Sequence, residues 1–333
     1  MKAIFGAMNI GEPGDGRTRV HTLPQARKMI QVFHSHGHTT IDTARLYGFG
    51  TSEEFLSQLN LPALSCTIDT KLFPTAVNPA LASSSPESIY HHTPADLRRG
   101  LMESLKALNV KKINTWYLHS PDRTVPFEET LREVNTLYQE GYFDRLGLSN
   151  YQSWEIASIC EICDRNGWIK PSVCQGIYNA FHRAVEPELL KCLRYHGISF
   201  YCFNPLAAGM LTSRYSRDKP DTVTGGRFDP ATQAGTFTRK RYYQEVYFDA
   251  LEVLRPVAGK YGISEVECAL RWLVHHSELR AELGDGIVIG SSSEGQMEEN
   301  LVAMEGGPLP GEVVEALDRG YEIVRGNQLI YWH

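Results

Sequence analysis

The sequence has no run of apolar residues long enough to cross a bilayer. Its opening stretch, Met1-Lys2-Ala3-Ile4-Phe5-Gly6, is too short an apolar segment for a secretory leader. It contains no Asn-x-Ser/Thr acceptor. Positive charge is not in excess either. The 33 Lys and Arg against 39 Asp and Glu leave a net charge of −6, so there is no basic field for nucleic acid and no polybasic patch for a membrane surface. Cysteine is sparse and odd in number, at 7, which argues against a secreted disulfide framework and predicts a reducing, cytoplasmic compartment. Cys160 and Cys163 form a Cys-x-x-Cys pair. They fall on the apolar side of a helical pattern with Ile156 and Ile159, and no second ligand pair follows at zinc spacing, so they read as core thiols and not as a metal site. The spaced histidines His34, His36 and His38 straddle a helix end at Gly37 and read as a solvated terminus. A Gly-x-Gly-x-x-Gly fingerprint is also missing, which weakens the case for an open dinucleotide-binding sheet.

What is present is ordinary globular material: 333 residues, 42% hydrophobic and 22% charged, enough for one large α/β domain. Eight short, near-continuous apolar runs occur at residues 3–8, 39–43, 66–72, 113–119, 143–149, 173–178, 198–203 and 286–290. Runs of that kind suit parallel strands buried on both faces. Helical periodicity lies between them, at 24–37, 93–108, 126–141, 153–167, 186–197, 244–262 and 264–277, mostly closed by glycine. Thr93-Pro-Ala-Asp96 has the spacing of a capping box. Eightfold alternation of strand and helix predicts a (β/α)8 barrel, a single domain over residues 1–333. Two loops without periodicity, 73–93 and 213–241, follow strands and therefore belong over the C-terminal face, where barrel enzymes keep their sites.

The chemistry-bearing residues sit at the expected strand ends. Asp42 and Tyr47 follow the second strand, Lys71 ends the third and His119 ends the fourth. Such residues converge on a barrel axis. Free tyrosine, with a pKa of about 10, is a poor acid near neutrality. An adjacent ammonium favours phenolate, so Lys71 is expected to lower the Tyr47 pKa, with Asp42 holding Lys71 in place. His119 can hydrogen-bond a substrate oxygen. Each residue alone has a bland alternative: a strand-end charge, a core histidine, a helix cap, a packed aromatic. Their occurrence at consecutive strand ends favours the chemical reading.

The pattern Asp42-x-Ala44-x-x-Tyr47-Gly48, then Lys71, then Leu118-His119-Ser120-Pro121, resembles the aldo-keto reductase superfamily. Further segments are similar in register. Gly147-Leu148-Ser149-Asn150 and Gln175 resemble the nicotinamide amide site. Phe203-Asn204-Pro205-Leu206, with Gly209 and Leu211, resembles the seventh-strand loop over the cofactor. Gly290-Ser291-Ser292, with Gln296, Glu299 and Asn300, resembles the adenosine-phosphate segment. The resemblance covers the whole chain and leans toward the aflatoxin-aldehyde reductases, through Gly226-Arg227-Phe228 and the Gly-Ser-Ser run.

The resemblance implies NADPH (NADP+) as cofactor, a small carbonyl compound as substrate, and Asp42, Tyr47, Lys71 and His119 as the catalytic set. It also implies that Phe203 stacks on the nicotinamide where the family usually has Tyr, and that Arg214 contacts the pyrophosphate. Many members present Lys and Arg to the 2′-phosphate, and here Gly290 and Gln296 stand at those positions. The substrate pocket implied is Met8, Tyr47, His119 and Asn150, with Arg227 and Arg241 either for an anionic group of the substrate or for cofactor phosphate or a solvated loop, and Tyr331 and Trp332 either lining the pocket or closing the barrel or an interface. A homodimer is the assembly the subgroup suggests. A different class keeps the same residues: a cofactor-binding, redox-sensing regulatory subunit like the potassium-channel β subunits. Turnover of a simple aldehyde separates the two.

Overall fold

The computed structural model describes residues 1–14, 16–218 and 225–333. Residues 219–224, inside the second long loop, lie outside the described residues. Eight parallel strands close into a barrel in sequence order: β1 (Lys2–Gly6), β2 (Thr40–Asp42), β3 (Thr67–Leu72), β4 (Ile113–Leu118), β5 (Phe143–Ser149), β6 (Pro171–Ile177), β7 (Ser199–Phe203) and β8 (Gly286–Ile289). β8 pairs with β1, with Ala3 opposite Ile287. All eight expected runs are strands. The first is shorter than expected, because Ala7 and Met8 turn away in a single 3-10 turn.

Strand alternation divides the apolar residues between two clusters. The outer faces of the strands pack against the surrounding helices in one large core. The inner faces of Ile4, Tyr117, Val173, Tyr201 and Val288 form a small cluster inside the barrel. Gly147 on β5 is required there, because a Cβ would collide with the ring of Tyr117, its register partner on the adjacent β4. The helices around the barrel are α1 (Leu23–Ser35), α2 (Thr51–Ser57), α3 (Pro94–Leu108), α4 (Phe127–Gln139), α5 (Ser153–Asn166), α6 (Leu189–Tyr195), α7 (Gln233–Tyr242), α8 (Glu245–Lys260), α9 (Glu265–His275), α10 (Glu294–Glu305) and α11 (Gly311–Val324).

Three local expectations are corrected. The loop at 213–241 contains α7, capped by Thr232 Oγ1, which accepts from Gly235 N at 2.9 Å. Only Gly235, Arg241 and Tyr242 of that helix are buried, so no apolar stripe announces it. Thr93 does accept from Asp96 N, but Asp96 accepts from His91 N at 2.8 Å and not from Thr93 N, so the capping box is half closed. His36 is not simply solvated: its ring nitrogens lie 2.6 Å from Glu305 and 3.2 Å from Glu298, tying α1 to α10. Cys160 and Cys163 are buried and free, and burial pushes their thiols up to about 11 and about 12. No helix among the described residues is long and apolar enough to cross a membrane.

Candidate active site

The mouth of the barrel is built first by backbone. Beyond β2 the chain stays bonded to β3, with Thr43 N donating to Asp69 O at 2.9 Å and Arg45 N to Lys71 O at 3.0 Å. The turn then needs left-handed backbone at Gly48, Phe49 and Gly50. Arg45 anchors its outer side on the buried Glu53 at 2.9 Å, which also accepts from Thr70 Oγ1 at 2.7 Å. Tyr47 therefore stands on a pinned turn beside the end of β3.

Lys71 Nζ donates to Asp42 Oδ2 at 2.6 Å and to Thr43 O at 2.8 Å. Gln175 Nε2, from β6, donates to Asp42 Oδ1 at 2.9 Å. The ammonium lies 5.1 Å from the centre of the Tyr47 ring and 5.7 Å from that of Tyr117. The His119 imidazole meets Tyr47 edge-on, ring centres 5.7 Å apart, and Phe73 edge-on at 5.6 Å. The four strand-end residues are thus one cluster. Asp42 serves Lys71, and Tyr47 lies beside the ammonium.

The electrostatics depart from expectation at Tyr47. Its pKa is raised, because burial outweighs the lowering effect of the Lys71 ammonium. The phenol is therefore held protonated, as a proton donor must be. Lys71 is raised as well: Asp42 and Tyr47 more than offset the opposing desolvation, which is the largest single influence. His119 is driven well below its usual value by burial first and by Lys71 next, so its ring is neutral and can donate or accept a hydrogen bond.

The remaining predicted residues line the same mouth or its flank. Asn150, in left-handed conformation after β5, donates from Nδ2 to His119 O at 2.8 Å and to Ser149 Oγ at 3.0 Å. Phe203 ends β7 and packs on the inner cluster. The following loop holds Asn204, Ala207 and Ala208 at positive φ, a strained path stabilised by bonds such as Leu211 N to Leu206 O at 3.2 Å. Leu211 buries its side chain in the core, and Arg214 is exposed. At the end of β8, Asn9 Nδ2 donates to Ser291 O at 2.7 Å, and Ser292 N and Oγ both donate to Gln296 Oε1 at 2.9 Å. Asn300 is buried and Glu299 exposed on α10.

Three buried polar atoms along this mouth have no partner among the described residues: His119 Nδ1, Asn150 Oδ1 and Ser291 Oγ. A Cβ on Gly290 would meet only Asn9 Nδ2, at 4.0 Å. Unmet hydrogen-bonding groups beyond β4, β5 and β8, with open space at Gly290, suit an extended dinucleotide with an amide at one end and phosphate at the other.

The substrate candidates separate. Met8 Sδ lies 4.0 Å from Arg227 Nη1, and Arg227 Nη2 donates to Asn9 Oδ1 at 2.5 Å. Arg241 is 5% exposed, and its Nε has no partner among the described residues. Tyr331 packs in the outer core, its hydroxyl bonded to Glu188 and accepting from Ser153 N at 3.2 Å, so it anchors the C-terminal segment. Trp332 lies under the Arg123 guanidinium at 5.5 Å. His333 reaches the mouth, its N donating to Asn150 O at 3.1 Å. His333 was missed from sequence, as were Thr43, Phe73, Tyr117 and Arg17, whose charge acts on both Tyr47 and His119. Alternation was a sufficient signal for two of them: Phe73 lies two residues after Lys71, and Tyr117 two before His119.

Residues 2–322 match the sequence profile of the Aldo/keto reductase family. The chain is 46% identical to the aldo-keto reductase pigE of Monascus ruber over 99% of this chain and 96% of that one. It is 40% identical to aflatoxin B1 aldehyde reductase member 2 of Homo sapiens, over 97% of this chain and 87% of that one. Among solved structures, glycerol dehydrogenase from Gluconobacter oxydans superposes with a TM-score of 0.73 at 22% identity, covering 98% of this chain and 91% of that one, which is a likeness of fold.

Proposed function

The chain belongs to the aldo/keto reductase family and is an oxidoreductase of carbonyl compounds, and we propose that it reduces aldehydes or ketones to alcohols with NADPH, Tyr47 giving the proton. The observation that carries this reading is Lys71, bonded to Asp42 at 2.6 Å and lying against the Tyr47 ring.

NADPH supplies the hydride. Ser149, Asn150 and Gln175 would hold its amide end, Phe203 its ring, the 204–214 loop its pyrophosphate, and Gly290 to Asn300 its adenosine phosphate. Each of this chain's residues then has a separable task. Neutral His119 orients the carbonyl oxygen by a hydrogen bond. Tyr47 transfers its phenolic proton to that oxygen as negative charge builds there. The Lys71 ammonium stabilises the phenolate left behind, and Asp42, itself held by Gln175, keeps the ammonium in place. Arg241, buried with an unmet Nε, suits an anionic group on the substrate, so carboxylate-bearing aldehydes should lead a panel.

An NADPH-oxidation screen over aromatic, dicarbonyl and carboxylate-bearing aldehydes tests the activity. Tyr47→Phe should cut single-turnover reduction by roughly 10³-fold while leaving NADPH affinity nearly unchanged. Normal turnover in that variant sinks the proton-donor role, and tight NADPH binding without turnover of any aldehyde sinks the reductase reading. Equal efficiency with NADH sinks the NADPH preference.

A further inference from the structure

Directly beneath the mouth lies an acid that the reaction above does not use. Asp69 precedes Lys71 by two residues on β3, so alternation turns both toward the barrel axis. Its neighbour across the β2–β3 pairing is Asp42. It is 1% exposed. One carboxylate oxygen accepts from Asn114 Nδ2 at 2.6 Å, and the other has no partner among the described residues. Tyr117, on the inner wall of β4 with its ring against Lys71, also buries a hydroxyl with no partner among the described residues. A buried acid with one oxygen unmet is costly as mere filling, since an amide or apolar side chain occupies the same volume at lower cost.

We infer that Asp69 is a positioning residue that acts through Lys71, setting how readily Tyr47 releases its proton; this rests on the reduction proposed above. Ionised Asp69 places a second negative charge near the Lys71 ammonium and offsets its pull on the Tyr47 phenol. Protonated Asp69 leaves Lys71 facing Asp42 alone, and the ammonium then acts more strongly on the phenol. The charged and titratable groups that act on Asp69 are Lys2 on β1, Asp42 on β2, Lys71 on β3, Tyr117 on β4 and Arg145 on β5, and Tyr201 on β7 acts in turn on Tyr117 and Arg145. Lys2 and Arg145 both donate to the Tyr201 hydroxyl, at 3.0 and 3.3 Å, in the layer below. β6 turns Val173 and Gln175 inward, and β8 turns Val288 inward. Burial pushes the Asp69 carboxyl up to about 6, with the Asn114 bond opposing and the Asp42 charge adding to the rise. Its charge therefore changes within a usable assay range.

The test is the single-turnover rate of an aromatic aldehyde with NADPH, measured from about pH 5 to about pH 8 in wild type and Asp69→Asn. The wild-type rate should rise about threefold as pH falls through about 6. Asp69→Asn should keep the low-pH rate throughout, with KM and NADPH affinity unchanged. A flat wild-type profile, or the same inflection in the variant, overturns the inference.

Thermal unfolding of the cofactor-free protein gives a second readout. The folded pKa is raised, so Asp69 costs the fold progressively more as pH rises from the unfolded value of 3.8 to about 6, and no more above it. The wild type should fall behind Asp69→Asn across that window, and a constant difference overturns the proposal. Should the variant not fold, a carboxyl ¹³C titration of wild type decides: the absence of an aspartate titrating near the expected value overturns it. No turnover by wild type removes the proposed function as well, whereas turnover with a flat profile removes only the role of Asp69.

Discussion

The two ends of the mouth hold their polar groups in opposite ways. Near β2 and β3, Asp42 and Lys71 are buried and bonded to each other, with Lys71 also bonded to Thr43 and Asp42 to Gln175. Near β8, the groups are hydroxyls, backbone and an amide: Ser291, Ser292 and Gln296, much of it exposed, with no arginine or lysine at Gly290 or Gln296. The first arrangement creates a strong, oriented field whose members depend on one another. The second offers several weak donors on a turn at the head of α10. In the proposed reduction, the first end would carry the chemistry and the second the selectivity between cofactors.

Lys71→Met breaks the first end most severely. It leaves Asp42 buried without its cation, so we expect about 3–5 kcal/mol lost in chemical denaturation. The hydride step should slow by roughly 10²-fold or more, with NADPH affinity little changed. An unaltered rate and pH profile would show that the two ends do not differ as described. At the second end, Ser292→Ala combined with Gln296→Ala should weaken NADPH binding by about fivefold, for loss of about 1 kcal/mol of hydrogen bonding, with NADH binding and the hydride step unmoved. A slowed chemical step in that variant would mean that the phosphate end also shapes the reacting geometry.

The smallest effect concerns how α10 is held. His36 joins α1 to Glu305 and Glu298 on the helix that carries Gln296, and the Glu305 bond is the first cause raising its pKa above 6.5. A raised folded pKa gives stability that is full below the unfolded value and fades as pH rises through the folded one. His36→Ala should therefore cost more at pH 6 than at pH 9, and at most about 1 kcal/mol, because both glutamates are exposed and screened. A difference independent of pH would assign His36 a packing role only.

Legibility followed the same division. The eight strands were readable because each is a continuous apolar run buried on both faces, and the four strand-end residues were readable because strand ends share one direction. Helix α7 was not, since its burial falls on Gly235, Arg241 and Tyr242 and makes no periodic stripe. The capping partner of Asp96 was misjudged because the N–H it accepts from belongs to His91, before the helix. The sign of the Tyr47 shift was misjudged because the influence of Lys71 was foreseeable and the depth of burial was not.

Order and type of residue were by themselves enough to determine the barrel, its direction and the meeting of Asp42, Tyr47, Lys71 and His119 at its mouth. They were also enough to show that neither Gly290 nor Gln296 brings a positive charge to the β8 end. Only the tertiary structure decided who partners whom. Gln175 reaches Asp42 across 133 positions of sequence, and Asn114 reaches Asp69 across 45. Desolvation and hydrogen bonding depend on every element that closes around a group, and chain order does not encode that enclosure locally. The charge state of the site, neutral His119 and protonated Tyr47 above a half-satisfied Asp69, is therefore a property of the closed barrel.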